Sequence, residues 1–215
     1  MKVALVGASG FVGKSVLNEL LQKGHLVTAI ARDLKDLAPR NGLTIVEGDA
    51  TDVEVFADII KGNDAVVSAF NAGWTNPDLY DDFLKGSKAI QAGVKKAGIK
   101  RLLVVGGAGS LYIDGRQLVD SPEFPADWKA GASAARDYLN ELQSEKELDW
   151  VFVSPAIEMH PGTSGTRRGS YRIGGDNPVF DQNGRSVISV EDLAAAIVEE
   201  LENHKYSRQR ITVAY

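Results

Sequence analysis

The chain has 215 residues, enough for one well-buried core and short for two full domains. Its net charge of −5 supplies no positive field to displace counterions from phosphate, so nucleic acid is not an expected partner. It has no cysteine, which excludes disulfide scaffolds, thiolate metal sites and cysteine nucleophiles.

Apolar runs alternate between strand and helix character along the chain. Residues 3–6 are a short apolar run that stops at Gly7, as a buried parallel strand does. That run is too short for a signal peptide, and no later stretch is long enough to span a bilayer, so a cytoplasmic protein without membrane contact is expected. Phe11–Gln22 follows with helical spacing: Val12, Val16, Leu17, Leu20 and Leu21 share a face, and Lys23-Gly24 closes the helix. Leu26–Ala31 reads as a second strand. Asp33 is placed to cap a short helix through Leu37, stopped by Pro39. Residues 43–46 form a third strand, and Asp52 caps a helix over Val53–Ile60 that Gly62 ends.

Residues 65–69 are a fourth strand. A long amphipathic helix runs from Leu79 through Phe83, Ile90 and Val94 to Ala97, and a fifth strand covers 102–105 and ends in Gly106-Gly107. Residues 111–127 read as a long loop, and Ala135, Tyr138, Leu139 and Leu142 mark the next helix. A sixth strand from Trp150 ends at Ser154-Pro155. Residues 158–190 are rich in Gly, Arg, Ser and Asn, with a hairpin expected between 171–173 and 179–180. A helix over 191–202 and a strand over 211–213 close the chain. No linker divides it, so residues 1–215 are expected to form one domain.

Gly7-Ala8-Ser9-Gly10-Phe11-Val12-Gly13 stands between the first strand and the first helix, with the spacing G-x-x-G-x-x-G. Gly7 permits the tight turn, Gly10 lets backbone approach a diphosphate, and Gly13 lets the helix pack close to the sheet. The helix N-terminus then offers free N–H groups and a partial positive charge. With the alternating pattern this predicts an α/β, Rossmann-type doubly wound parallel sheet that binds a dinucleotide. The expected strand order is 3-2-1-4-5-6 with a C-terminal strand and a small C-terminal elaboration. Substrate-site loops are expected mainly in 106–130 and 155–190.

The end of the second strand should meet the adenosine ribose. Arg32 stands there and can fork onto a 2′-phosphate, so NADP(H) is favoured and NAD(H) stays open; a solvated Arg32 is the alternative. Asp49 and Ala50 follow the third strand, where Asp49 can accept from the adenine amine. Ala69, Phe70 and Asn71 follow the fourth, where small residues let backbone run beside the ribose.

Together these residues resemble the atypical short-chain dehydrogenase/reductase group, and within it the NmrA-like NAD(P)H-binding proteins. The 101–111 segment, Leu118-Val119-Asp120-Ser121-Pro122-Glu123-Phe124-Pro125, Ser154-Pro155-Ala156 and the ending Arg210-Ile211-Thr212-Val213-Ala214-Tyr215 resemble its NADH-flavin reductase subfamily. The resemblance implies that Gly106, Pro155 and Ala156 line the nicotinamide end. It also places Ser110 near the group's active-site serine, with Tyr112 at the same mouth.

One departure bears on the chemistry. The wider group moves protons with Tyr-x-x-x-Lys, whereas Tyr138 is followed by Leu142, Tyr80 by Leu84 and Tyr112 by Arg116. Flavin reduction needs no such pair, because solvent can supply the proton. Ser110 either donates to a substrate or caps its loop. Trp74 and Trp128 either stack on a flat substrate or pack between loops. His160 can face a substrate or solvent, and His25 and His204 read as structural. Arg167, Arg168, Arg172 and Arg185 can meet a flavin phosphate or simply be solvated. No histidine pair has metal-site spacing.

The reading is therefore an NAD(P)H-dependent reductase of a flavin or similar flat acceptor, working as a monomer or homodimer on a small-molecule substrate. The alternatives are a non-catalytic NADP(H)-binding redox sensor of NmrA type and a sugar epimerase or dehydratase.

Overall fold

The structure is a computed structural model that describes residues 1–33, 35 and 37–215. An eight-stranded sheet runs through the molecule in the order β3-β2-β1-β4-β5-β8-β10-β9. Its strands are β1 (Lys2–Val6), β2 (Leu26–Ala31), β3 (Leu43–Glu47), β4 (Ala65–Ser68), β5 (Arg101–Val105), β8 (Asp149–Pro155), β9 (Arg172–Gly174) and β10 (Gln209–Ala214). A separate two-stranded ribbon joins β6 (Tyr112–Ile113) to β7 (Arg116–Gln117). All neighbours in the large sheet are parallel except β9, which runs antiparallel to β10. The first five strands and β8 give the expected order 3-2-1-4-5-6, and β10 is the expected C-terminal strand.

Both sheet faces are covered, so the central strands are apolar on both sides. On one face, Val3, Leu5, Val27, Val67, Leu103, Val153 and Ile211 pack against α1 (Phe11–Gln22) and α5 (Val190–Asn203) through Val16, Leu20, Leu193 and Ile197. On the other, Ala4, Val6, Ile30, Val66, Leu102 and Phe152 pack against α2 (Val53–Ile60), α3 (Leu79–Lys96) and α4 (Ala126–Leu142) through Phe56, Phe83, Ile90 and Leu139. Burying each large side chain in these clusters contributes about 1.5–3 kcal/mol. Asp52 caps α2 by accepting from the N–H groups of Glu54 and Val55 at 3.1 Å each, as its sequence position predicts; such a cap contributes about 1 kcal/mol.

Three expectations change. Residues 171–173 do not pair with 179–180; Arg172–Gly174 instead closes the exposed edge of β10, with Ile173 opposite Val213. An unpaired β10 edge offers a full ladder of backbone groups, whereas a hairpin of that length would leave it open. Val179 packs at the margin of the core, its Cγ2 2.7 Å from where a Cβ on Gly174 would stand. The 111–127 loop contains the β6–β7 ribbon, and α4 begins nine residues before the first marker at Ala135. The short helix after Asp33 falls partly on residues 34 and 36, outside the described residues. Asp33 itself accepts from the Lys35 N–H at 3.0 Å, within a turn. Among the described residues, no helix is long and apolar enough to cross a membrane.

Candidate functional site

The carboxyl ends of the parallel strands meet one edge of the sheet, which is where open α/β sheets bind ligands. At its centre the chain leaves β1 through Gly7, whose φ of +76° lies in the left-handed region. A Cβ at Gly7 would stand 2.5 Å from the Ala69 carbonyl oxygen, so this turn and the end of β4 need the missing side chain to approach. Gly13 is tighter still: a Cβ there would lie 1.9 Å from the Gly7 carbonyl oxygen. This is the close packing of helix on strand that the spacing predicts.

Gly10 is the cap of α1 and offers no side chain to its first turn. The N–H groups of Phe11, Val12 and Gly13 therefore face the edge with the positive end of the helix dipole behind them. Ser9 is half-buried beside them, and Gly10 and Phe11 are exposed. A diphosphate fits this cradle: the donors are uncapped, and the outer side of Gly10 has only the Gly7 carbonyl near it, 3.3 Å from a built Cβ.

Toward β2 and β3 the edge opens into a cavity of about 440 Å³ lined by Arg32, Asp33, Lys35 and Glu47. Arg32 is exposed and makes no ion pair among the described residues. Asp49 accepts from the Thr51 N–H at 2.9 Å and from its hydroxyl at 2.8 Å. Those bonds, the backbone one foremost, hold its carboxyl below the usual range, and the charges of Arg32 and Lys85 add to the effect. One Asp49 oxygen is thus engaged in its own turn, while Ala50 is buried behind it. Asn71 accepts from the Gly73 N–H at 2.7 Å, which shapes the loop after β4. The Phe70 ring turns inward against Phe83, 5.9 Å between centroids, so only its backbone is offered to a ligand.

Toward β5 and β8 the candidates divide. A Cβ on Gly106 would lie 2.0 Å from the Phe152 ring, so packing from below already demands that glycine. Pro155 ends β8, Ala156 follows it, and both are buried. Ser110 is 1% exposed, and its hydroxyl accepts from Arg210 Nη1 at 3.0 Å. The same nitrogen donates to the Ser110 carbonyl at 2.7 Å, and Arg210 Nη2 donates to Asp176 Oδ1 at 2.5 Å. Ser110 is thus tied into its loop by Arg210, and its hydroxyl lies 3.5 Å from the Gly107 carbonyl. Tyr112 is 38% exposed at the mouth, with the Arg210 guanidinium 5.7 Å from its ring centroid.

The other charged candidates are also engaged. Arg167 binds Glu19 at 2.6 Å, Arg168 lies 3.8 Å over the Tyr215 ring, and Arg172 donates to the Phe180 carbonyl at 2.6 Å. Arg185 pairs with Glu158. His160 caps its own turn by accepting from the Gly162 N–H at 3.1 Å. Tyr138 is buried, its hydroxyl donates to Gln91 Oε1 at 3.3 Å, and burial holds that hydroxyl far above its usual range.

Sequence reasoning missed Arg210 and Asp192. Asp192 is fully buried and gathers the N–H groups of Arg168 and Gly169 at 2.7 and 2.9 Å, with the Tyr215 hydroxyl at 2.6 Å. The available signal was a lone arginine in the last strand and an acid in the first turn of the last helix.

The model of NAD(P)H-binding domains matches residues 7–204. The chain belongs to the NAD(P)H-binding family. Within reach of this family, the uncharacterized protein YwnB of Bacillus subtilis is 39% identical, over 99% of this chain and 98% of its own length. A crystal structure from Bacteroides thetaiotaomicron, provisionally described as an epimerase, is 45% identical with a TM-score of 0.91, covering 100% of this chain and 96% of that one. A Streptococcus pneumoniae structure, provisionally described as an NADH-flavin reductase, is 37% identical with a TM-score of 0.86, covering 100% and 99%. The fold and the nicotinamide-cofactor family are common ground among these findings; the reaction described for each is not.

Proposed function

We propose that this protein is an NADPH-dependent reductase that delivers a hydride to a flavin or similar flat conjugated acceptor. The observation that carries the reading is the pairing of an uncapped glycine turn with an exposed Arg32 that lines the cavity at the end of β2. The N–H groups of Phe11, Val12 and Gly13 hold the diphosphate, and Arg32 forks onto the 2′-phosphate. Asp49 faces the adenine through its free oxygen. The backbone of Ala69, Phe70 and Asn71 borders the ribose, and Gly106, Pro155 and Ala156 border the nicotinamide end.

When bound, the nicotinamide supplies a hydride with its electron pair. The acceptor takes that hydride and one solvent proton, leaving the reduced acceptor and NADP⁺. Holding two rings in register is then most of the protein's task. The engaged Ser110 and buried Tyr138 argue against alcohol–ketone chemistry through the group's usual tyrosine and serine. They argue equally against the epimerase reading. The pneumococcal neighbour's description supports a flavin acceptor, though it names NADH. The engaged Ser110 also favours a second reading, a redox sensor that binds NADP(H) without turnover.

Stopped-flow oxidation of NADPH and NADH, with FMN and with no acceptor, separates these. FMN-dependent oxidation, faster with NADPH, is expected. Tight NADP(H) binding with no oxidation by FMN, riboflavin or quinones contradicts the reductase and leaves the sensor.

A further inference from the structure

We propose that Trp74 and Trp128 form an aromatic platform that receives the flat acceptor at the nicotinamide end of the site. The inference rests on the reductase reading and names the side chains that select its acceptor.

Both indoles are exposed, Trp74 at 62% and Trp128 at 57%, while the third, Trp150, is buried in the core. Single exposed apolar residues are ordinary. These two stand on adjoining elements of one rim. The Trp74 ring lies against α4: a Cβ on Gly131 would be 3.0 Å from its Cζ3. Trp128 is one helical turn earlier on the same α4 face as Gly131 and Ala132.

The rim adjoins both parts of the cofactor site. The loop carrying Trp74 begins at Ala69, whose carbonyl touches the glycine turn. On the other side, a Cβ on Gly109 would be 2.8 Å from Ala132 Cβ, so α4 abuts the turn after β5. The indoles therefore flank the ends of β4 and β5, beyond which a Rossmann sheet holds its ligand.

Trp74 is also held in place. Asn76 donates to Asp82 at 2.8 Å and to the Ala72 carbonyl at 3.4 Å, and it accepts from the Asp78 N–H at 2.9 Å. With the Asn71 bond to the Gly73 N–H, these fix the loop and present the indole ready-formed. A pre-positioned indole offers a flat apolar face with little entropy left to lose. An acceptor that takes hydride without a protein acid is a conjugated planar ring, and such a ring stacks on indole.

The test is calorimetric titration of FMN into the full chain saturated with NADP⁺, where no turnover occurs. For the Trp74→Ala/Trp128→Ala double variant, FMN affinity is expected to fall about tenfold or more, with NADP⁺ affinity within about twofold of the parent. The Trp74→Phe/Trp128→Phe variant keeps aromatic faces and should recover most of the loss, which a folding defect would not allow. Unchanged FMN affinity in the alanine variant, or no saturable FMN binding by the parent, overturns the platform. Turnover separates the two readings. A parent that binds FMN through the indoles but oxidises no NADPH loses the reductase and keeps the platform. A parent that turns over, with KM for FMN unchanged in the alanine variant, keeps the reductase and loses the platform.

Discussion

At the turn after β1, Gly10 caps α1 without a side chain and leaves the helix donors open. At the turn after β5, on the same sheet edge, Ser110 is 1% exposed and Arg210 binds both its hydroxyl and its carbonyl. One turn holds out free backbone donors and the other is itself bound by side chains. A backbone site leaves its mark in sequence, because only glycine fits where Cβ has no room. A side-chain site leaves a weaker mark, because a serine that reacts and a serine that ties a loop are the same letter.

The largest way to break the first turn is Gly13→Ala. Its Cβ would stand 1.9 Å from the Gly7 carbonyl oxygen, backbone that cannot yield without moving β1 or α1. Calorimetry should show NADP⁺ affinity down by roughly 100-fold, and denaturant melts a loss of about 3 kcal/mol. Near-parental binding would mean that the close approach is not needed for the cradle.

The held groups make a contrasting prediction in acid. Burial raises the Glu145 carboxyl, but the Glu147 N–H, the Gln91 amide and the Lys95 ammonium outweigh it and bring it down to about 2. Its folded value lies below its ordinary 4.5, so its contribution is present above pH 4.5 and is lost as pH falls toward 2. Melts across that window should show a loss on the order of 3 kcal/mol that Glu145→Gln lacks. Equal acid sensitivity in the variant would assign the effect elsewhere.

At the second turn, Arg210→Met removes the donor to the Ser110 hydroxyl and leaves its carbonyl only the Gln117 amide at 3.2 Å, which should cost about 2 kcal/mol. Ser110→Ala should change kcat by less than about threefold, since its hydroxyl serves the loop. A loss of kcat beyond about 100-fold with unchanged stability would make Ser110 catalytic after all. Ser110→Ala apart, the smallest effect is expected at the open end of the first region. Arg32→Ala should weaken NADPH by about tenfold and leave NADH nearly unchanged, read as the ratio of the two affinities.

Much of the fold was legible, for local reasons. Phe11–Gln22 and Val53–Ile60 match the helices read from their apolar spacing and stops. The glycine turn was legible because Gly7 and Gly13 answer to backbone contacts a few residues away. What failed depends on distant partners. The pairing of Arg172–Gly174 is chosen by the open edge of β10, some forty residues later in the chain. The first turns of α4 carry Trp128 and Lys129 outward, so no apolar stripe announces them. Arg210 shares a strand face with Thr212 while Ile211 and Val213 face the other core, a placement with meaning only once Ser110 and Asp176 are beside it.

The most direct test of the central claim is the amide spectrum of isotope-labelled protein titrated with NADP⁺. The largest shifts should fall on Gly10, Phe11, Val12 and Gly13, with Arg32 following and Ser110 changing least. Saturation that leaves the Gly10–Gly13 amides unmoved would contradict the backbone cradle.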